Sequence, residues 1–329
     1  MAVQCTKLPI EDRGMPSSAV RTFTEPDDYA AAIRYSTTEI TVTGRGQFAA
    51  KFIRVDLHRL SLQRFSENLP RIAHSATRSE RAIISFATEL GPPLSAGGAE
   101  MHPGTIVKHT RREEYHQSSS GSARFGTVAL PVDSLVAVGE AMAKVDLTPP
   151  PDASLVTPSP SRMTRLQRLH AAVAQLAEDT PEIIAQPEAA RGIEQTLIEA
   201  MVECLTSCEP RKNGLAQAQH AVVMRRFRRV VEENLEHPLY IPEICQAIGV
   251  SNRTLQACCH EHLGMGPKHY LLLRRTHLAR RALRQEAAET VSVTEIATRY
   301  GFWQLGRFAV TYQSLFGEPP SATLGRQFT

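Results

Sequence analysis

Ser251, Asn252, Arg253, Thr254, Gln256 and His260 fall within ten residues, and Gln304, Arg307 and Thr311 within eight. Both sets are interleaved with apolar residues at helical spacing: Leu255 and Cys259 in the first, Phe308, Tyr312 and Phe316 in the second. On a helix, that spacing turns the polar set outward while the apolar set packs inward. Outward Arg, Gln and Asn side chains can hydrogen-bond base edges in a DNA major groove, Arg pairing with guanine and Gln or Asn with adenine. Ser251 stands where a helix N-cap is needed, its hydroxyl free to accept a backbone N–H. Arg253, Gln256 and Arg307 are the expected base readers, with Asn252 and Gln304 beside them.

Other chemistry is poorly supplied. His102, His109 and His116 are spaced by seven, with His58 and His74 elsewhere, and the region contains no His-x-His; strand side chains converging on a metal need tighter grouping. Gly44, Gly46, Gly97 and Gly98 lack the Lys-Ser/Thr that follows a phosphate loop. No nucleophile elbow occurs. The six cysteines show no Cys-x-x-Cys pair and read as buried thiols. The expectation is no catalytic residue, no metal and no cofactor.

The elements that position the polar faces form an internal repeat. Glu243-Ile244 is followed by Gly249 and then Gly264 and Pro267; Glu295-Ile296 is followed by Gly301 and then Gly317 and Pro320. The offset is about 52 residues, and each copy reads as a short helix, a glycine turn and a second helix, the form of a helix-turn-helix. Pro267 to Arg284 joins them; as a helix those 18 residues span about 27 Å, comparable to the roughly 34 Å between successive major-groove faces. Arg274, Arg275, Arg280, Arg281 and Arg284 lie along this connector, and Arg281 is expected to meet a backbone phosphate.

Charge is partitioned the same way. Residues 211–329 hold 16 Lys and Arg against 9 Asp and Glu, and residues 1–210 hold 21 against 25. A basic module on a mildly acidic body points toward nucleic acid or an acidic surface. In that body, residues 39–146 carry short apolar or alternating runs broken by Gly, Pro, Asn and Ser, which predict many short strands and a small β-barrel. Arg45, His102 and Tyr115 are candidates for polar lining of its interior. The proline-rich Thr148 to Ser161 reads as a connector. Residues 162–205 then supply two amphipathic helices, which either cover the barrel or pair across a dimer. No run of about 18 apolar residues occurs, and Glu11, Asp12 and Arg13 stand where a signal peptide needs an apolar core, so a cytoplasmic chain with no membrane partner is expected.

The C-terminal third resembles the DNA-binding domain of the AraC/XylS family of bacterial transcription regulators. The resemblance rests on Ile244 to Leu255 (ICQAIGVSNRTL), on Leu263, Gly264, Pro267 and Tyr270, and on Arg274, Leu278, Ala279 and Leu283. The second half adds Val293, Ile296, Ala297, Gly301 and Phe302, then Arg307, Phe308, Tyr312, Phe316, Gly317, Pro320 and Ser321. It implies two helix-turn-helix units bridged by a long helix and inserted in successive major-groove segments. It also implies an N-terminal domain, cupin-like in one subgroup, that senses a ligand, dimerises, or both. Three residues depart from the family pattern. Ala257 replaces a long polar side chain, Trp303 replaces a small N-cap, and Gly306 in a first helical turn costs about 1 kcal/mol relative to Ala.

The expected architecture is α+β. Residues 1–206 form an effector-sensing or dimerisation domain with a cupin-like barrel and flanking helices, 207–220 a linker, and 221–329 an all-α DNA-binding domain. The expected function is a sequence-specific transcription regulator acting as an activator, cytoplasmic and nucleoid-associated. Its expected partners are double-stranded promoter DNA, RNA polymerase, a small-molecule effector and a second copy of itself. An architectural DNA binder without effector sensing is the alternative.

Overall fold

The computed structural model describes residues 15–78, 80–110, 112–150, 153–206, 215–234, 239–286 and 290–326. Its first part is built from strands β1 (Ser17–Phe23), β2 (Ser36–Val42), β3 (Ala50–Asp56), β4 (Ser61–Glu67), β5 (Arg71–Arg78) and β6 (Arg81–Ala87). These are followed by β7 (Leu94–Ala96), β8 (Ala99–Glu100), β9 (Ile106–Lys108), β10 (Arg112–Ser119), β11 (Ala123–Pro131) and β12 (Ser154–Val156). Helices α1 (Pro26–Ala32), α2 (Val132–Ala143), α3 (Pro160–Asp179), α4 (Pro181–Ala185) and α5 (Pro187–Thr206) accompany them.

The strands form a seven-stranded sheet, in the order β1-β3-β4-β11-β6-β9-β12, and a five-stranded sheet, in the order β2-β5-β10-β7-β8. Both sheets are open, so the closed barrel expected from the strand count is not seen. Period-two alternation gives the larger sheet two apolar faces. Phe52, Phe65 and Phe125 face the smaller sheet, meeting Tyr29, Ile40, Val42 and Met101, and the Phe65 and Phe125 rings stack at 4.4 Å. Ile53, Val55, Leu62, Val128 and Leu130 face the other way, under α3 and α5.

The amphipathic stripes at 162–205 are therefore spent inside the chain. Met163, Leu166 and Val173 of α3 and Leu197, Ile198 and Met201 of α5 are buried in that layer. Gly126 lets α3 approach closely, because a Cβ there would lie 2.5 Å from His170 Nε2. On α5, the buried Glu194 accepts the backbone N–H groups of Arg59 (2.6 Å) and Leu60 (3.1 Å), pinning the helix to the β3–β4 turn.

Between the sheets lies a satisfied polar network. Arg71 is fully buried, its Nε donating to Glu67 Oε2 at 2.7 Å and its Nη1 to the Gln117 carbonyl at 3.0 Å; the Tyr29 hydroxyl donates to Glu67 Oε1 at 2.9 Å. Arg45 and His102, expected to line this interior, are exposed instead, and Tyr115 is half-buried against His109. Two further boundaries differ from the sequence reading. Residues 132–143 form a helix within the strand-rich stretch, and β12 stitches the proline-rich connector to β9.

The remaining helices are α6 (Leu215–Glu233), α7 (Ile241–Ile248), α8 (Asn252–Leu263), α9 (Pro267–Gln285), α10 (Val293–Arg299), α11 (Leu305–Phe316) and α12 (Pro320–Leu324). Helix α6 begins within the stretch assigned to the linker, of which residues 207–214 lie outside the described residues. Two cores result, one around Phe227, Ile244, Leu255 and Tyr270 and one around Leu283, Ile296, Phe308 and Tyr312, with α9 contributing to both.

Candidate nucleic-acid interface

Each helix pair turns at a glycine. Gly249 ends α7 at φ 74°, and Gly301 makes the corresponding turn at φ 77°, values that favour glycine because it lacks a Cβ. Helix α8 is capped as its sequence requires: the Thr254 backbone N–H donates to Ser251 Oγ at 3.1 Å. Helix α10 carries a reciprocal capping box between Ser292 and Glu295. Helix α11 has Gln304 at its N-cap without a side-chain bond to the backbone, so its start rests on packing rather than on a cap.

The outward residues are found where the spacing puts them. Ser251, Asn252, Arg253 and His260 are exposed on α8, and Thr254 is half-exposed. Gln256 is only partly exposed and leans over the start of α9, where a Cβ on Gly266 would lie 2.9 Å from its Oε1. On the second unit Gln304 and Arg307 are exposed and joined, Arg307 Nη1 donating to Gln304 Oε1 at 3.1 Å, while Thr311 sits at the edge of the exposed face. Trp303 and Val310, both 70% exposed, stand on that face too. Spacing alone offered no reason to choose Val310, since an apolar residue on a helix is first assigned to the core.

Arg281 is placed differently. It donates through Nε to Asp27 Oδ1 at 2.8 Å and through Nη1 to Glu39 Oε1 at 3.1 Å, so in this arrangement it faces the sheet-rich part rather than a free surface. Its neighbours do the same. Arg280 is bidentate to Glu25, Arg284 reaches Glu25 at 3.2 Å, and Glu39 also takes Arg228 at 3.0 Å and Arg274 at 3.6 Å. His277 adds a hydrogen bond from Nε2 to the Val42 carbonyl at 2.9 Å. Burial alone would push the Glu39 carboxyl up, but Arg274, Arg228 and Arg281 together reverse this and hold it at about 2. Burial pushes His277 down to about 4, so it sits in the junction as a neutral imidazole.

Glu25, Asp27 and Glu39 were not singled out in the sequence. The only signal was the opposite charge balance of the two parts, which named an acidic surface as a possible partner without saying that the chain supplies it. The same junction seats Ile72 of β5 in the core of the first helical unit, and the Gly97–Gly98 turn against Glu261 and His262 at the far end of α8.

A family model described as a helix-turn-helix domain matches residues 244–326, spanning both turns and the connector. A XylDLEGF operon transcriptional activator of Pseudomonas putida is 42% identical over 101 residues, 30% of this chain and 32% of that one. The C-terminal helical part belongs to the AraC/XylS family. A second such Pseudomonas putida activator, numbered 3, is 32% identical to the chain over 151 residues, 46% of this chain and 44% of that one. Among solved structures, an AraC-type DNA-binding domain protein from Chromobacterium violaceum shares 28% identity with a TM-score of 0.31, covering 33% of this chain and 96% of that one. The chain spans about a third of that first activator's length. Among the described residues, no helix is long and apolar enough to cross a membrane, and no group of three or more His, Cys, Asp or Glu side chains is placed to hold a metal ion.

Proposed function

We propose that the chain is a sequence-specific DNA-binding transcription regulator, an activator, with no catalytic role. The observation that carries this is the paired geometry of the AraC/XylS segment, with two outward helix faces, α8 and α11, on either side of one continuous connector. Arg253 and Arg307 are the base readers in this reading, with Asn252, Gln304, Ser251, Thr254, His260 and Thr311 beside them. Gln256 contributes after leaving Gly266.

Control comes from the sheet-rich part through α9. A helix gripped along its length by Glu25, Asp27 and Glu39 cannot change its position without disturbing those pairs, so a ligand or partner that alters the grip alters how the two reading faces are held. A cleft of about 360 Å³ opens at this junction, lined by Glu25, Phe48, Arg280, Phe316 and Arg326 among others. A small-molecule effector seated there touches both parts at once, and its coupling to DNA is reciprocal: DNA tightens effector binding by the factor by which effector tightens DNA. Dimerisation would pair two such chains on a repeated site, using a surface other than the buried stripes of α3 and α5, with RNA polymerase as the downstream partner.

The test is selection of sheared genomic DNA by the full-length protein at physiological salt, followed by sequencing. Recovery of a motif of two boxes about one helical turn apart is expected. Retention of all sequences alike, with a steep salt dependence, would replace the reading with an architectural DNA binder.

A further inference from the structure

Helix α11 presents an outward face unlike that of α8. Its buried residues, Phe308, Tyr312 and Leu315, define the inward side. At 100° per residue Val310 lies opposite them, with Gly306 one turn before it and Arg307 at its flank. Val310 and Trp303 are each 70% exposed and Leu305 39%, so three large apolar side chains meet solvent within eight residues. An isolated exposed apolar residue is ordinary, but a cluster beside a polar reading set marks a contact surface.

Gly306 sharpens the point. A glycine inside a helix weakens it, and the fold gives no return here: Gly306 does not have positive φ, and a Cβ built on it meets nothing within 4 Å. Neither backbone conformation nor crowding within the chain requires glycine. What a missing Cβ permits is close approach of an outside partner to the helix backbone. Aligning the two reading helices on their C-terminal glycines, Gly264 and Gly317, sets Gly306 against Arg253 and Val310 against Ala257. Where the first helix projects a long cation, the second has a gap beside a branched apolar side chain.

We infer that the second recognition helix reads thymine through its C5-methyl group, with Val310 as the contact, Gly306 allowing the helix to sit deep in the major groove, and Trp303 covering the flank. Thymine is the base whose major-groove edge carries a methyl, the group that an apolar side chain can distinguish. Arg307 remains for a neighbouring guanine or phosphate. This inference rests on the DNA-binding reading above and specifies what the second half of the site contains.

The test starts from duplexes that the full-length protein enriches from a random library, resynthesised with uracil for thymine at single positions of each box, which removes only the methyl group. Loss of one buried methyl contact corresponds to about fourfold in affinity. The expected result is about a fourfold loss at one or two positions of the second box. Val310→Ala removes that discrimination while keeping the preference in the first box. Gly306→Ala raises thermal stability and weakens binding at least tenfold, which a purely structural glycine would not do. Trp303 is the single tryptophan, so protection of its fluorescence from acrylamide on adding the duplex reports contact at this face. If uracil is neutral throughout the second box and Val310→Ala binds as wild type, the inference is overturned while the regulator reading stands. If no motif is enriched at all, the regulator reading falls and the inference with it.

Discussion

Replacing Glu39 by Gln removes a carboxylate that faces three arginines from the helical part. Its carboxyl is held at about 2, against about 4.3 for a free glutamate, a difference that corresponds to about 3 kcal/mol of stability at neutral pH. Because the pKa is depressed, that contribution is fully present above about pH 4.3 and is lost as pH falls toward 2. An independent route gives a similar figure. Arg274, whose side chain is only 6% exposed, pairs with Glu39, while Arg228 keeps Glu232, and removing the partner of a buried charge costs about 3 to 5 kcal/mol. Glu39 lies on β2 and its partners on α6 and α9, so the loss falls on docking of the two parts rather than on either core. At about 3 kcal/mol per molar urea, Glu39→Gln should lower the midpoint of the docked form by about 1 M. The freed arginines then become available to phosphate, and each new contact steepens the salt dependence of DNA binding by about 0.9 in log–log slope. Urea denaturation by circular dichroism and DNA titrations between 50 and 200 mM salt, with Glu39→Asp as the conservative control, measure both effects. An unchanged midpoint together with an unchanged slope would refute the claim that these pairs hold the two parts together.

Arg253→Ala should cost about 1 to 3 kcal/mol of DNA affinity and relax preference at one position of the selected motif, read by repeating the selection with the variant. Arg281→Ala should instead lower the urea midpoint, because its guanidinium bridges Asp27 and Glu39; a uniform loss of DNA affinity with no loss of stability would return it to a phosphate contact. Gly126→Ala drives a methyl to 2.5 Å from His170 Nε2 and should destabilise by about 1 to 3 kcal/mol, seen as a lower melting temperature. His277 is held down at about 4 and His170 at about 3, so the stability each contributes is full above about pH 6.5. It falls by about 1.4 kcal/mol per pH unit below that until the folded-state value is reached. Denaturation midpoints that stay flat from pH 7.5 to 5.5 would contradict their burial as neutral rings.

The helical part was legible because it follows local rules that leave a trace in the chain. Gly249, Gly264, Gly301 and Gly317 mark turns that need positive φ, Ser251 caps α8, and Phe308 and Tyr312 of the expected stripe pack inward, with Leu315 buried beside them and Phe316 only partly buried. The strand-rich part was legible as a class but not strand by strand. β4, β5 and β10 turn Gln63, Glu67, Arg71 and Gln117 into protected positions, so the alternation that should announce a half-buried strand is written partly in polar residues. Glu67 and Gln117 are satisfied through Arg71, and Gln63 accepts the Arg34 backbone N–H at 3.2 Å, long-range arrangements with no local pattern. The junction is harder still, because Glu25 and Glu39 lie about 190 to 260 residues from the arginines they meet. Val310 failed for the opposite reason: hydrophobicity predicts burial, and this helix uses an apolar side chain outside.

The basic excess of residues 211–329 is met largely by carboxylates of the chain itself. Of the cations in residues 211–329, Arg228, Arg274, Arg280, Arg281 and Arg284 face Glu25, Asp27, Asp28 and Glu39. Arg229, Arg299 and Arg326 pair within the helical part, with Glu233, Glu286 and Glu318. Much of the basic excess is therefore neutralised by the chain itself while the two parts are docked, and non-specific attraction to phosphate is correspondingly restrained. On the proposed reading, DNA binding in this state rests on the few side chains that α8 and α11 present outward, the ones able to discriminate between sequences. In such a regulator, a body that sequesters the connector's arginines would favour specificity over affinity. Release of the same arginines would reverse the balance, giving the sheet-rich part control of DNA binding without touching either reading helix.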